Sequence, residues 1–191
     1  MVPGLGGSLL AGSFLSETVL PELATTRLAS SRTDHARLQR WWRRAEQTLG
    51  PATSARVVLD VAAVPLVELL GYDVLHIEPH GHGFAGVLGS GGVPVATLTT
   101  TRWGDDADTA WRDAVRSGRT AGVRWGLVFT GRTLRLVDAS RTWARRALDV
   151  SFADALADER AATLFRGLCQ AAALKTVRVA DARLVAAWLD S

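Results

Sequence analysis

The chain's pattern predicts a mixed α/β fold: a small mixed sheet flanked by helices, with helical segments at both ends. Three observations predict it. Apolar residues recur at helical spacing from Thr33 to Gly71. From Tyr72 they change to short β-like runs separated by glycine turns. Helical spacing returns once between the strands and again after Phe152. At 191 residues, 48% hydrophobic and 21% charged, the chain can bury one core.

Residues 1 to 33 are rich in Gly, Ser and Thr, with one short helix expected around Ser13 to Leu20 and ended by Pro21. The stretch TDHARLQRWWRRAEQTLG reads as a firmer helix, capped by Thr33 or Asp34 and stopped at Gly50-Pro51. Leu38, Trp42, Ala45 and Leu49 share one face, with Trp41 at its edge, and arginines cover much of the rest. Ser54 opens a second helix that is apolar nearly all round. Pro65 should kink it or mark its true start, and Gly71 should stop it. DVLHIEP and GFAGVLGS read as strands joined through HGHG, and GGVPVATLTTT as a third after a Gly-Gly turn. A helix over roughly Ala107 to Ser117 follows, capped by aspartates and stopped by Gly118. VRWGLVFT and TLRLVDA form a strand pair around Gly131, ARRALDVSF adds another strand, and the tail is helical. The expected organisation is a helical extension over 1–53, an α/β core over 54–175 and a C-terminal helix over 176–191, as one unit.

Cys169 is the one cysteine, which excludes an intrachain disulfide or cysteine-based zinc site and points to a cytoplasmic setting. The N-terminus lacks the basic start of a signal peptide, and the most apolar run is too short for a bilayer and carries Asp60 and Glu68. No membrane partner is expected. The formal charge is only +3, but 21 of the 22 basic residues are arginine, the side chain suited to bidentate phosphate contacts.

Three stretches carry a resemblance. LVELLGYDV is similar to the helix-to-strand junction that opens the core of many restriction-type nucleases. VPVATLTTTRW sits where those proteins carry their third strand, and VRWGLVFTGRTLRLVDAS resembles their late strand, turn and return strand. The order resembles the N-terminal nuclease-like region of type IIG restriction-modification enzymes and phage-defence methylases, of the PD-(D/E)xK superfamily. The resemblance implies a restriction-endonuclease-like core. It also implies an Asp on the second strand and a Glu-x-Lys at the end of the third, which hold Mg²⁺ and position water. The Glu slot falls on Thr99, the Lys slot on Thr101, and the Asp slot near Ala85 or Gly86. All three catalytic groups are missing, so the resemblance implies a degenerate site with no cofactor.

Other residues compete for a role. His76, Glu78, His80 and His82 alternate as they would on one face of a straight strand, a candidate set for zinc or nickel. Pro79, Gly81 and Gly83 argue instead for a solvated loop. Asp105 and Asp106, with Asp108, could be relocated metal ligands, or simply the acidic start of a helix. Neither a Gly-rich phosphate loop nor a methylase or helicase motif is present. Arg102, Arg119, Arg124, Arg132 and Arg135 follow the threonine strand and would line the cleft where such a nuclease holds double-stranded DNA, or form a solvated, partly salt-bridged surface with the interleaved Asp105, Asp113 and Asp138. Arg40, Trp41 and Arg44 are candidates for contacts to other subunits or a fused methylase. The expected function is a catalytically inactive nuclease-like module for DNA binding or assembly in a restriction or defence system. The alternatives are an active Mg²⁺-dependent nuclease with relocated carboxylates, or a pure protein-interaction module.

Overall fold

The computed structural model describes residues 2–26, 31–140, 146–175 and 187–188. Its centre is a seven-stranded mixed sheet, ordered β1-β7-β6-β5-β4-β3-β2. The strands are β1 (Leu5–Gly7), β2 (Asp73–His80), β3 (Gly83–Ser90), β4 (Val93–Thr100), β5 (Trp125–Phe129), β6 (Thr133–Asp138) and β7 (Ala147–Ser151). β4 and β5 run parallel, and the other described pairs are antiparallel. The parallel pair needs a crossover, which helix α6 (Ala107–Thr120) provides.

The helices before the sheet are α1 (Gly12–Phe14), α2 (Leu20–Leu23), α3 (Arg32–Thr48), α4 (Ala55–Val58) and α5 (Val64–Leu69); after it come α7 (Phe152–Ala155), α8 (Glu159–Cys169) and α9 (Ala171–Leu174). α1 runs into α2 through a π-helical turn (Leu15–Val19), and α4 into α5 through another (Leu59–Ala63). Each π turn ends two residues before a proline, Pro21 or Pro65. A proline in a helix donates no hydrogen bond and crowds the carbonyl four residues back, and a wider turn relieves that crowding. Pro21 therefore does not end its helix, contrary to expectation. Within the second π turn the Ala62 carbonyl also accepts from Trp41 Nε1 at 3.0 Å.

Leu98, Leu127, Leu136 and Leu148 face one another across β4, β5, β6 and β7. They bury against α3, the α4–α5 helix and α8, and form the main core. Trp41 and Phe152 meet edge to face with centroids 4.9 Å apart, and Trp42 stacks on Trp103 at 6.1 Å. Gly131 lies against the Trp103 ring so closely that no side chain could stand there. On the opposite face α6 lays Ala110, Ala114 and Val115 over Val128 and Val137.

Several expectations change. α3 is capped by Ser31, not Thr33 or Asp34: Ser31 Oγ accepts from the Asp34 N–H, and Asp34 Oδ2 accepts from the Ser31 N–H, each at 3.1 Å. α6 runs through Gly118 to Thr120, because Gly118 is there for packing; a Cβ would come within 2.7 Å of Ala139 Cβ. The left-handed residue that follows the helix is Gly122, with φ 66°. Residues 1–53 are not only a helical extension, since β1 completes the sheet beside β7. The expected C-terminal helix over 176–191 lies outside the described residues except 187–188, where the Trp188 indole donates to Glu22 at 2.9 Å. Cys169 is buried in the core, and burial pushes its thiol up to about 12. No helix among the described residues is long and apolar enough to cross a membrane.

Candidate functional site

The end of β4 is where the threonines of the sequence gather. Register places Ala85 of β3 directly opposite Thr99 of β4. Thr101 lies just beyond the strand, its N–H donating to the Phe129 carbonyl at 3.0 Å. The three slots are thus neighbours at one place in the sheet, carrying a methyl group and two hydroxyls. Thr97 and Thr99 project toward α6, at 1% and 4% exposure, and neither hydroxyl has a hydrogen-bond partner.

α6 lies chiefly over β4, β5 and β6, and a groove flanks it on each side. One, of about 340 Å³, is lined by His76, Glu78, His80, Ala85, Thr97 and Arg116. Here the expectation of a histidine loop is corrected: β2 continues through Pro79 to His80, and only Gly81 and His82 make the turn. Proline fits because β2 is the sheet's edge, where a strand needs no donor on its open side. His76 Nε2 lies 3.3 Å from Glu78 Oε2, and His80 Nε2 lies 3.6 Å from Asp113 Oδ1 on α6. The described residues contain no cluster of three or more His, Cys, Asp or Glu able to hold a metal ion.

The second groove, of about 480 Å³, lies between α6 and the β7–β1 edge. Arg135 dominates it, bridging Asp149 of β7 at 2.6 Å and pairing with Asp108. Burial works against the Arg135 charge, but its bonds to Asp149 and Asp108 outweigh that and raise its pKa. The aspartates before α6 have local partners. Asp105 Oδ2 accepts from the Arg102 N–H at 3.0 Å, and Asp106 Oδ1 accepts from the Asp108 N–H at 2.9 Å as the helix N-cap.

The arginines expected along one cleft are divided. Arg102 and Arg132 stand at the carboxyl ends of β4 and β5, beside Asp105 and Asp106. Arg119, in the last turn of α6, and Arg124, just before β5, stand at the opposite end. Arg124 pairs with buried Asp138 at 2.8 Å and lies over the Trp125 ring, so its charge is spent inside the fold. Burial pushes the Asp138 carboxyl up, but hydrogen bonds from Arg124 and Ser140 outweigh it and hold the pKa below its ordinary value.

On the other face of the molecule, Arg40 and Arg44 are exposed, whereas Trp41 is 7% exposed and shows only an edge at the floor of the groove beside them. Arg37, not singled out from sequence, joins Arg40 and Arg44 in a stripe along a groove of about 630 Å³ whose far wall carries Asp60 and Glu68. The spacing of 37, 40 and 44 was the available signal. Comparison with protein families, with curated proteins and with solved structures finds no match for this chain.

Proposed function

We propose that this chain is a nuclease-like module that binds duplex DNA without cutting it, serving a restriction or phage-defence assembly. The reading rests on the resemblance of its strand and turn motifs. It is supported by the order in which α5, β2, β3, β4, α6 and β5 follow one another around a mixed sheet. The observation that carries it is the pairing of Ala85 with Thr99, at the place where the resembling nucleases hold Mg²⁺ between carboxylates. A methyl group and a hydroxyl cannot replace those hard anionic ligands. Thr99 is also buried, so the position is closed to a hydrated ion as well as uncharged.

The test is incubation of the purified chain with supercoiled and linear DNA in Mg²⁺ or Mn²⁺. No nicking or linearisation above a buffer control is the expected result. Cleavage that vanishes in the Asp105→Ala/Asp106→Ala variant would replace this reading with an active nuclease that uses relocated carboxylates.

A further inference from the structure

We infer that the arginine-covered face of α3 is the surface that receives the phosphate backbone of duplex DNA. The inference rests on the DNA-binding reading above and moves its contact surface away from the threonine strand. α3 carries Arg32, Arg37, Arg40, Arg43 and Arg44 against Asp34 and Glu46, a formal +3. That equals the formal charge of the whole chain, so the rest of the sequence balances to zero. The positive excess of the molecule is concentrated on one 17-residue helix.

The five arginines are all exposed, and none forms an ion pair with a described residue, although the Arg37 charge acts on the Asp34 carboxylate. On the α6 side more of the charge is paired: Arg124 is held by Asp138, Arg135 by Asp149 and Asp108, and Arg116 by Asp113, while Arg112 and Arg119 are exposed on α6 without an ion pair to a described residue. The acids near α3 are mostly occupied. Asp34 closes the helix cap and lies 3.5 Å from Arg166, and Asp60 pairs with Arg56 at 2.7 Å. Glu46 on the helix and Glu68 on the far wall of the groove are the acids left to oppose a polyanion.

Geometry agrees with a backbone contact. Arg37, Arg40 and Arg44 fall within about 60° of arc at roughly 100° per residue, and span about 10 Å along the helix axis. That length covers about three phosphates of one strand along the duplex axis. The helix is braced for such a load: Leu38, Trp41, Trp42 and Ala45 are buried beneath it, and Trp41 is tied to the Ala62 carbonyl. Guanidinium groups on a rigid helix can grip phosphates bidentately without reading base sequence.

The experiment is fluorescence anisotropy of the full chain with a labelled mixed-sequence duplex across a salt series, with circular dichroism to verify folding. Arg37→Ala/Arg40→Ala/Arg44→Ala should fold as the wild type does, because alanine favours exposed helix positions. It should weaken binding and reduce the slope of log K against log salt by about 2 to 3, near 0.9 per lost phosphate contact. Lysine at the same three positions should keep the slope. Arg102→Ala/Arg132→Ala should change little, and Glu68→Gln should tighten binding. Binding that survives the α3 triple variant but is lost with Arg102 and Arg132 overturns this inference and leaves the DNA reading standing. A wild type that binds no duplex even at low salt overturns both. Displacement of the duplex by poly-glutamate at equal charge concentration assigns the face to acidic protein, and the nucleic-acid inference falls.

Discussion

Arg124 and Asp138 show how a residue suited to nucleic acid can be consumed by the fold. The Asp138 side chain is 1% exposed and accepts from Arg124 and from the Ser140 N–H and hydroxyl. Arg124→Ala would leave a buried carboxylate with only the Ser140 donors. Such uncompensated charges cost about 3 to 5 kcal/mol, and the partial exposure of Arg124 places this one near the lower end. Urea denaturation at pH 7 should show that loss, with much of it recovered in Arg124→Ala/Asp138→Asn. Because the folded pKa of Asp138 is depressed, its stabilisation is present above the unfolded carboxylate value and lost as pH falls through the folded one. The gap between wild type and Arg124→Ala should therefore be widest near neutrality and narrow below about pH 4. The buried threonines point the other way. A buried hydroxyl without a partner costs about 1 to 3 kcal/mol, and valine keeps the shape and strand preference of threonine without it. Thr97→Val/Thr99→Val should raise the urea midpoint. A lowered midpoint would mean that these hydroxyls have partners.

Among the elements, those with strong local signals were legible in the sequence. The helix over α3, the strands β2 to β6 and the Ser54 cap follow from periodicity, glycine turns and capping chemistry. What escaped depended on distant partners. Nothing local shows that β1 pairs with β7 some 140 residues later, or that Trp41 waits beneath the opened π turn at Ala62. The prolines misled because a helix can widen around them. Pro79 misled because an edge strand tolerates it. The candidate site divided in the same way: adjacency of Ala85 and Thr99 and some pairing of arginines with the interleaved aspartates could be anticipated, whereas the pairing of Arg135 with Asp149 of β7 could not. Gly118 is the sharpest case, since its sequence context says helix stop and its role is contact. Gly118→Ala should gain about 1 kcal/mol of helix propensity but force the Ala139 contact apart at about 1 to 3 kcal/mol. A lower thermal midpoint is expected despite the better helix former. A raised midpoint would show that α6 can lift off the sheet at little cost.

At the scale of the whole molecule, the segment before residue 54 bears on every part of the fold. The sequence divides there, because the stretches on which the proposed nuclease resemblance rests begin at the second helix. The packing does not. Val2, Leu5, Leu9 and Leu10 are buried in the main core together with Leu38, Trp41, Trp42 and Ala45. Arg146 donates to the Leu9 carbonyl at 2.9 Å, and Gly4 accepts from the Ser151 N–H at 2.7 Å, so β7 is held from both ends of β1. Burying an aliphatic or aromatic side chain is worth about 1.5 to 3 kcal/mol. Removing the seven largest of these eight would therefore cost on the order of 10 to 20 kcal/mol by an upper estimate, as much as a domain's entire stability. It would also leave β7 as an open edge prone to pairing with other chains. A fragment of residues 54–175 should consequently fail to fold cooperatively, giving no thermal transition by circular dichroism and aggregating on concentration. Adding residues 2–53 as a separate polypeptide should restore solubility and the transition if the two pieces find each other. A fragment that melts cooperatively alone would show that the first 53 residues are a dispensable cover, and the arginine face of α3 would then belong to a detachable arm.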